Sequence, residues 1–129
     1  MQNSALENRK KVALFQYDFE KDGGAVGDIT LRGPSIPDGA LVDFGLIDVQ
    51  TAPTSGGAAT IALELASAGD VKAATAIASF ATGPVSAVPD KTAGNAIKLA
   101  ANASLTMTIA AADLTAGKIV VALEYFMTE

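Results

Sequence analysis

Residues 117–127 read GKIVVALEYFM, and this run decides the fold class. Ile119, Val121, Leu123 and Tyr125 fall at alternate positions, with Val120, Ala122, Glu124 and Phe126 between them. Period-two spacing of β-branched and aromatic residues signals a strand. Both sets are fairly apolar, which predicts a strand that is central in its sheet or covered by a partner subunit. Just upstream, Leu105, Met107 and Ile109 alternate with Thr106 and Thr108. The alanines around them favour helix, but propensity is a weak prior and the alternation predicts strand. Ala112 to Gly117 reads as the turn between the two, and AIKLAA at 96–101 as a further short strand.

The same period appears at the other end of the chain. In KVALFQYDFE, Ala13, Phe15, Tyr17 and Phe19 share one face and Val12, Leu14, Gln16 and Asp18 the other. Asp22-Gly23-Gly24 is a turn signal, because glycine adopts positive φ without a steric cost. GDITLR then alternates again, with Ile29 and Leu31 inward, so residues 12–32 are expected to pair as a hairpin. After a loop with two prolines at 33–39, ALVDFGLIDVQT forms a long strand. Asp43 and Asp48 stand at odd spacing in it, and Gly45 between them is the expected site of a bulge. APTSGG at 52–57 is a loop. Ile61, Leu63 and Leu65 then line one face of a half-buried strand, opposite Ala62 and Glu64. Asp70 offers a helix start in an alanine-rich stretch, so a short helix or turn over 70–75 and a strand over 76–80 are expected. Gly83-Pro84 and Pro89-Asp90 break the chain.

About eight short strands with Gly/Pro turns between them define a mainly β chain. The expected architecture is a single-domain β-sandwich or jelly roll with at most one short helix. Residues 1–10 are polar and without period, and read as an N-terminal arm on a domain spanning 11–129.

Composition narrows the function. The 129 residues include no His, no Cys and no Trp. Ser–His and Cys–His catalysis, thiolate zinc sites and disulfides each need a residue type the chain lacks. The net charge of −5 opposes nucleic acid and anionic membrane surfaces as partners. Arg9, Lys10 and Lys11 form the one basic cluster; it is too small for a nucleic-acid patch and reads as a solvated entry to the first strand. MQNSALENRKK has no apolar signal-peptide core. The longest weakly polar run, Leu99 to Ala112, is broken by Asn102, Ser104 and threonines. No membrane anchor is therefore expected.

Asp18, Glu20 and Asp22 would share one face if the strand ran through them, and such oxygen clusters bind calcium. The EF-hand spacing is missing, and a solvent-facing strand end explains the three acids more simply; no metal or other cofactor is expected. Among fourteen acids, pairs suited to glycoside hydrolysis arise by chance. The glycines of KDGGAVGD and TSGGAAT do not make GxGxxG and precede no clear helix, so they are turns rather than phosphate cradles. The chain is expected not to be an enzyme. Flat self-complementary surfaces and a polar arm suit assembly instead.

Three stretches together carry a family resemblance: GDITLRGPSIPDGALV (27–42), DVQTAPTSGGAATIALEL (48–65) and LTAGKIVVALEYFMTE (114–129). The combination resembles small virion proteins of tailed bacteriophages and prophages encoded beside the major capsid protein, over roughly residues 12–126. The resemblance implies a head decoration, or cement, protein. Such proteins are β-rich, often trimeric, and sit on capsid symmetry axes, tying capsomers together. It further implies synthesis in the host cytoplasm, a place on the capsid surface and the major capsid protein as partner, but it carries over no functional residue; Arg9, Lys10 and Lys11, at the base of the arm and outside the clearest similarity, are separately expected as capsid contacts. A receptor- or carbohydrate-binding β-sandwich of a tail or fibre is the alternative.

Overall fold

The computed structural model of the chain describes residues 9–128. In chain order its elements are β1 (Lys11–Asp18), α1 (Phe19–Asp22), β2 (Gly27–Thr30), β3 (Ala40–Ser55), β4 (Thr60–Glu64) and β5 (Lys72–Ala76). A 3₁₀ turn (Ile77–Ser79), β6 (Gly83–Ser86), β7 (Ile97–Lys98), β8 (Thr106–Ala110) and β9 (Leu114–Met127) complete it. The strands form two antiparallel sheets, one in the order β1-β9-β3-β6 with β7 also on β3, the other β2-β8-β4-β5. The chain is a mainly β sandwich with one short α-helix among the described residues, as the strand periods predict.

Between the sheets lies one apolar layer. β1 contributes Ala13, Phe15 and Tyr17; β3 contributes Val42, Ile47 and Val49; β9 contributes Ile119, Val121 and Leu123. The second sheet answers with Ile61 and Leu63 of β4 and Met107 and Ile109 of β8. Each set occupies alternate positions, which is the strand period turned into a core. β9 lies between β1 and β3, so the expectation that it is central holds. Its ladder with β1 is regular from Lys11 opposite Tyr125 to Asp18 opposite Lys118. Tyr17 is buried, its hydroxyl donates to the Gly23 carbonyl at 2.6 Å, and burial together with Asp22 and Asp18 pushes its pKa up to about 12.

Several local expectations are corrected. Residues 12–32 do not make a hairpin: β1 pairs with β9 and β2 with β8, in different sheets, and the ladder between the two segments is reduced to the isolated bridge Gln16–Arg32 just beyond β2. Asp18 ends the strand by capping α1, its carboxylate accepting from the Glu20 amide at 3.0 Å. Gly23, at φ +78°, then turns the chain toward the other sheet. Among sequence-adjacent strands only β4 and β5 pair. A local turn signal marks a change of direction, and here each sheet wins its own strands through their apolar faces.

Asp70 starts no helix. Its carboxylate accepts from the amides of Leu65, Ala66 and Ser67 at 2.7, 2.9 and 2.9 Å, holding the turn before it. Lys72–Ala76 is strand, and 77–79 is a 3₁₀ turn rather than strand, because pairing with β4 overrides alanine's helix propensity. The AIKLAA strand is only Ile97–Lys98. β3 continues through APTS to Ser55, and β9 begins at Leu114 rather than after Gly117, the two segments pairing across several bulges. Pro53 sits between the register shifts at Thr51 and Thr54, where no ladder donor is required of it.

Candidate assembly surface

The bulge in β3 falls at Asp43, not Gly45. Val42 opposes Tyr125 and Phe44 opposes Glu124, leaving Asp43 as the extra residue. Gly45 stays in register, and a Cβ there would stand 3.0 Å from Leu123 Cδ2 and 3.1 Å from Ala87 Cβ, so its role is close packing. The bulge shifts the parity of the strand. Before it Val42 faces the core; after it Phe44, Leu46 and Asp48 face outward while Ile47 and Val49 face in.

That shift builds an apolar outer face on the first sheet. Leu14, Ala122 and Leu46 lie in one row across β1, β9 and β3; Val12, Glu124 and Phe44 lie in the next; Gln16, Val120 and Asp48 in the third. Val12 is 58 % exposed, Leu14 53 %, Phe44 37 % and Leu46 41 %. Four of the five large hydrophobic residues left exposed among the described residues are therefore on this face; Val26 is the fifth. A concentration of this kind marks an interaction surface, whereas scattered exposed apolar residues do not. The outer face of the other sheet is the contrast: Thr30, Thr60, Thr106 and Thr108 line it with Asp28 and Glu64, and Thr108 donates to Asp28 at 2.8 Å.

At one end of the apolar face lies the basic cluster. Arg9 and Lys11 are exposed. Lys10 pairs with Asp43, and its ammonium is 5.5 Å from the centre of the Phe126 ring. Lys91 reaches the same carboxylate oxygen, Oδ2, at 3.3 Å and stands 5.9 Å from the Phe44 ring. Burial pushes the Asp43 carboxyl up, but the two lysine hydrogen bonds outweigh it and hold the group below the ordinary carboxylate range. Two elements distant in sequence, the entry to β1 and the loop after Pro89, are thus tied to the bulge. Residues 1–8 of the expected arm lie outside the described residues.

The acids weighed for metal binding are not brought together as the strand reading required. Asp18 caps α1, and Asp22 turns back to accept from the Asp18 amide at 2.8 Å and pairs with Arg32 at 3.2 Å. Two surface hollows of about 340 and 300 Å³ meet at Ala66 and are lined mostly by small residues of 94–103. Their ionisable groups are engaged: Asp70 holds the Leu65–Ser67 turn, and Lys98 bonds to the Gly39 carbonyl and pairs with the Thr128 hydroxyl. The structure thus assembles a broad apolar face with a charged rim.

A two-sheet sandwich with one apolar outer face defines the class of the protein. No protein-family model and no curated protein sequence matches the chain. Solved structures do. A chain of the cyanophage Pam1 capsid asymmetric unit matches with a TM-score of 0.62 and 22 % identity, over 93 % of this chain and 86 % of that one. A chain of the acid-stable capsid of the Helicobacter pylori bacteriophage KHP30 matches with a TM-score of 0.65 and 13 % identity, over 95 % of each. This chain shares their fold.

Proposed function

We propose that the protein is a structural component of a phage virion, specifically a non-catalytic decoration protein of the head that works by burying surface between subunits. The observation that carries this reading is the outer face of the first sheet, apolar and not covered by the other described residues, on a fold shared with chains of two phage capsids. Burying apolar surface contributes roughly 25 cal/mol per Å², so repeated over many copies a modest patch adds substantial cohesion to a shell. The absence of His and Cys from the sequence fits a role without acid–base or nucleophilic chemistry.

The major capsid protein is the proposed partner, with Arg9, Lys10 and Lys11 at the shell-facing end. The test is to mix the purified protein with expanded shells that lack it and image the particles by cryo-electron microscopy. Copies at regular positions on the shell surface are expected, with the shells surviving more heating than bare ones. Absence of binding, or copies found only on tails in native virions, would reject the reading and favour a tail or fibre module.

A further inference from the structure

Asp43 differs from other aspartates of the chain in what holds its charge. The carboxylates of Asp18, Asp22, Asp70, Asp90 and Asp113 each accept from a backbone amide, a partner the fold keeps in place. Asp43 has no amide partner among the described residues. Its Oδ2 is shared by the Lys10 and Lys91 ammoniums, and its Oδ1 is buried without a partner. The bulge in β3 thus aims a nearly buried carboxylate at two flexible, partly exposed cations. A buried charge pair adds little to stability, and a switch is one of its attested uses.

Lys10 stands just ahead of the β1–β9 ladder, which begins at Lys11. What fixes it is its side chain, on Asp43 and over the Phe126 ring. Lys91 is tied differently. Its loop is also anchored through the backbone, the Pro89 carbonyl accepting from the Gly45 amide at 3.1 Å. Of the two elements that meet at Asp43, only the entry to β1 depends on the carboxylate for its place.

We infer that Asp43 is a latch on the entry to β1: ionised, it holds Lys10 and Lys91 on the sheet, and protonated, it releases Lys10 and with it residues 9–10. Two ammoniums at one oxygen repel each other once that oxygen is neutral. What remains to each is a single ring contact, which is weak at exposed sites. The other charged groups around the cluster do not take over. Glu124 of β9 acts on Lys10 only through its charge, without a hydrogen bond. Asp90 is engaged with the Thr92 amide and the Asn95 side chain, and Lys98 of β7 turns to Gly39 and Thr128. Burial raises the Asp43 carboxyl, and the lysine hydrogen bonds outweigh it and hold the group low. The latch is therefore closed at neutral pH and opens as pH falls through that lowered value.

Nuclear magnetic resonance on the full chain, without shells, tests the latch. The heteronuclear NOE of the Arg9 and Lys10 amides reports their order, the amides of Val12 to Tyr17 report the fold, and the Asp43 carboxyl carbon reports its protonation. From pH 7 to pH 2.5 the NOE of Lys10 should fall with the same midpoint as the Asp43 carbon, while β1 stays ordered. Asp43→Asn should show the low NOE already at pH 7, and Glu124→Gln should match the wild type. A Lys10 amide whose order ignores the Asp43 titration, or is unchanged in Asp43→Asn, overturns the inference. So does loss of order in Glu124→Gln alone. If acid unfolds the domain before Asp43 titrates, Asp43→Asn at pH 7 decides.

The consequence for assembly rests on the decoration reading. A closed latch keeps Lys10 and Lys91 engaged within the chain, and an open one offers both to the shell. Asp43→Asn should then bind expanded shells several-fold more tightly at low salt than the wild type. If the latch opens as described and neither protein binds shells, decoration falls and the latch stands. If both bind shells and Lys10 never loosens, the latch falls and decoration stands. Equal binding by a protein whose latch does open removes these lysines from the shell contact and leaves the latch itself intact.

Discussion

Asp43 occupies the most consequential single position on the molecule. It is the bulged residue of β3, and its carboxylate is the common partner of Lys10 and Lys91. Its pKa in the fold lies below its value of about 3.9 in an unfolded chain. The stability it contributes is therefore complete above that pH and is lost as pH falls through the lowered folded value. Asp43→Asn should cost no more than about 1 kcal/mol at neutral pH, because both lysines are partly exposed and solvent screens the pairs. The variant should also show a shallower loss of stability in acid; urea titrations between pH 7 and pH 3 would measure both. Asp70 makes a stronger local demand. Removing its carboxylate leaves three turn amides without their acceptor. Asp70→Ala should therefore destabilise by about 2 kcal/mol, read as a lower denaturation midpoint at unchanged slope. Neither role is visible in the sequence. An aspartate before an alanine-rich run looks like a helix cap, and only the folded turn shows that its amides come from the residues before it.

At the scale of the element, β9 shows how one strand serves two purposes. Its odd positions, Ile119, Val121 and Leu123, are buried between the sheets, and its even positions lie half-exposed on the outer face. A core position and an outer one should respond differently to truncation. Leu123→Ala should cost about 3 kcal/mol, the loss of buried surface plus a cavity. Leu46→Ser, on the outer face of β3, should change stability by less than about 0.5 kcal/mol. Thermal melts of the two variants side by side would check the pair of values. The alternation in 117–127 is legible because side-chain period follows from backbone geometry alone. The parity of β3 is not. A bulge costs little locally and can sit at any of several residues, so only the ladder with β9 fixes it at Asp43 and turns Phe44 and Leu46 outward. Gly45 drew the expectation because glycine permits a bulge, whereas Leu123 and Ala87 use it for close approach.

Across the whole molecule, the chain passes repeatedly between the two sheets, and only β4 and β5 pair as sequence neighbours. β1 near the start pairs with β9 at the end, closing almost the full length of the chain. Loops of this length carry an entropic cost before their contacts form, so folding should take milliseconds to seconds, the range of all-β sandwiches. Stopped-flow refolding from urea would measure it. The same topology sets the character of the surface: it brings Val12 and Leu14, Phe44 and Leu46, and Val120 and Ala122 into one apolar face and leaves a threonine face on the opposite side. That asymmetry is what the proposal of assembly through one side of the sandwich rests on, with the shell as the proposed occupant.

The sequence by itself determined the fold class, the inward residues of the main strands and the types of chemistry excluded by missing residues. These follow from the period-two alternation and from composition, neither of which depends on distant contacts. It also singled out the last strand as apolar on both faces, and that strand is central. The tertiary structure alone decided which strands pair, where β3 is bulged, how Asp43 gathers two lysines, and that the second apolar face of 117–127 joins those of β1 and β3 into one surface. Pairing and register depend on partners far away along the chain, and a local signal such as Asp22-Gly23-Gly24 states that the chain turns without stating which strand it turns toward.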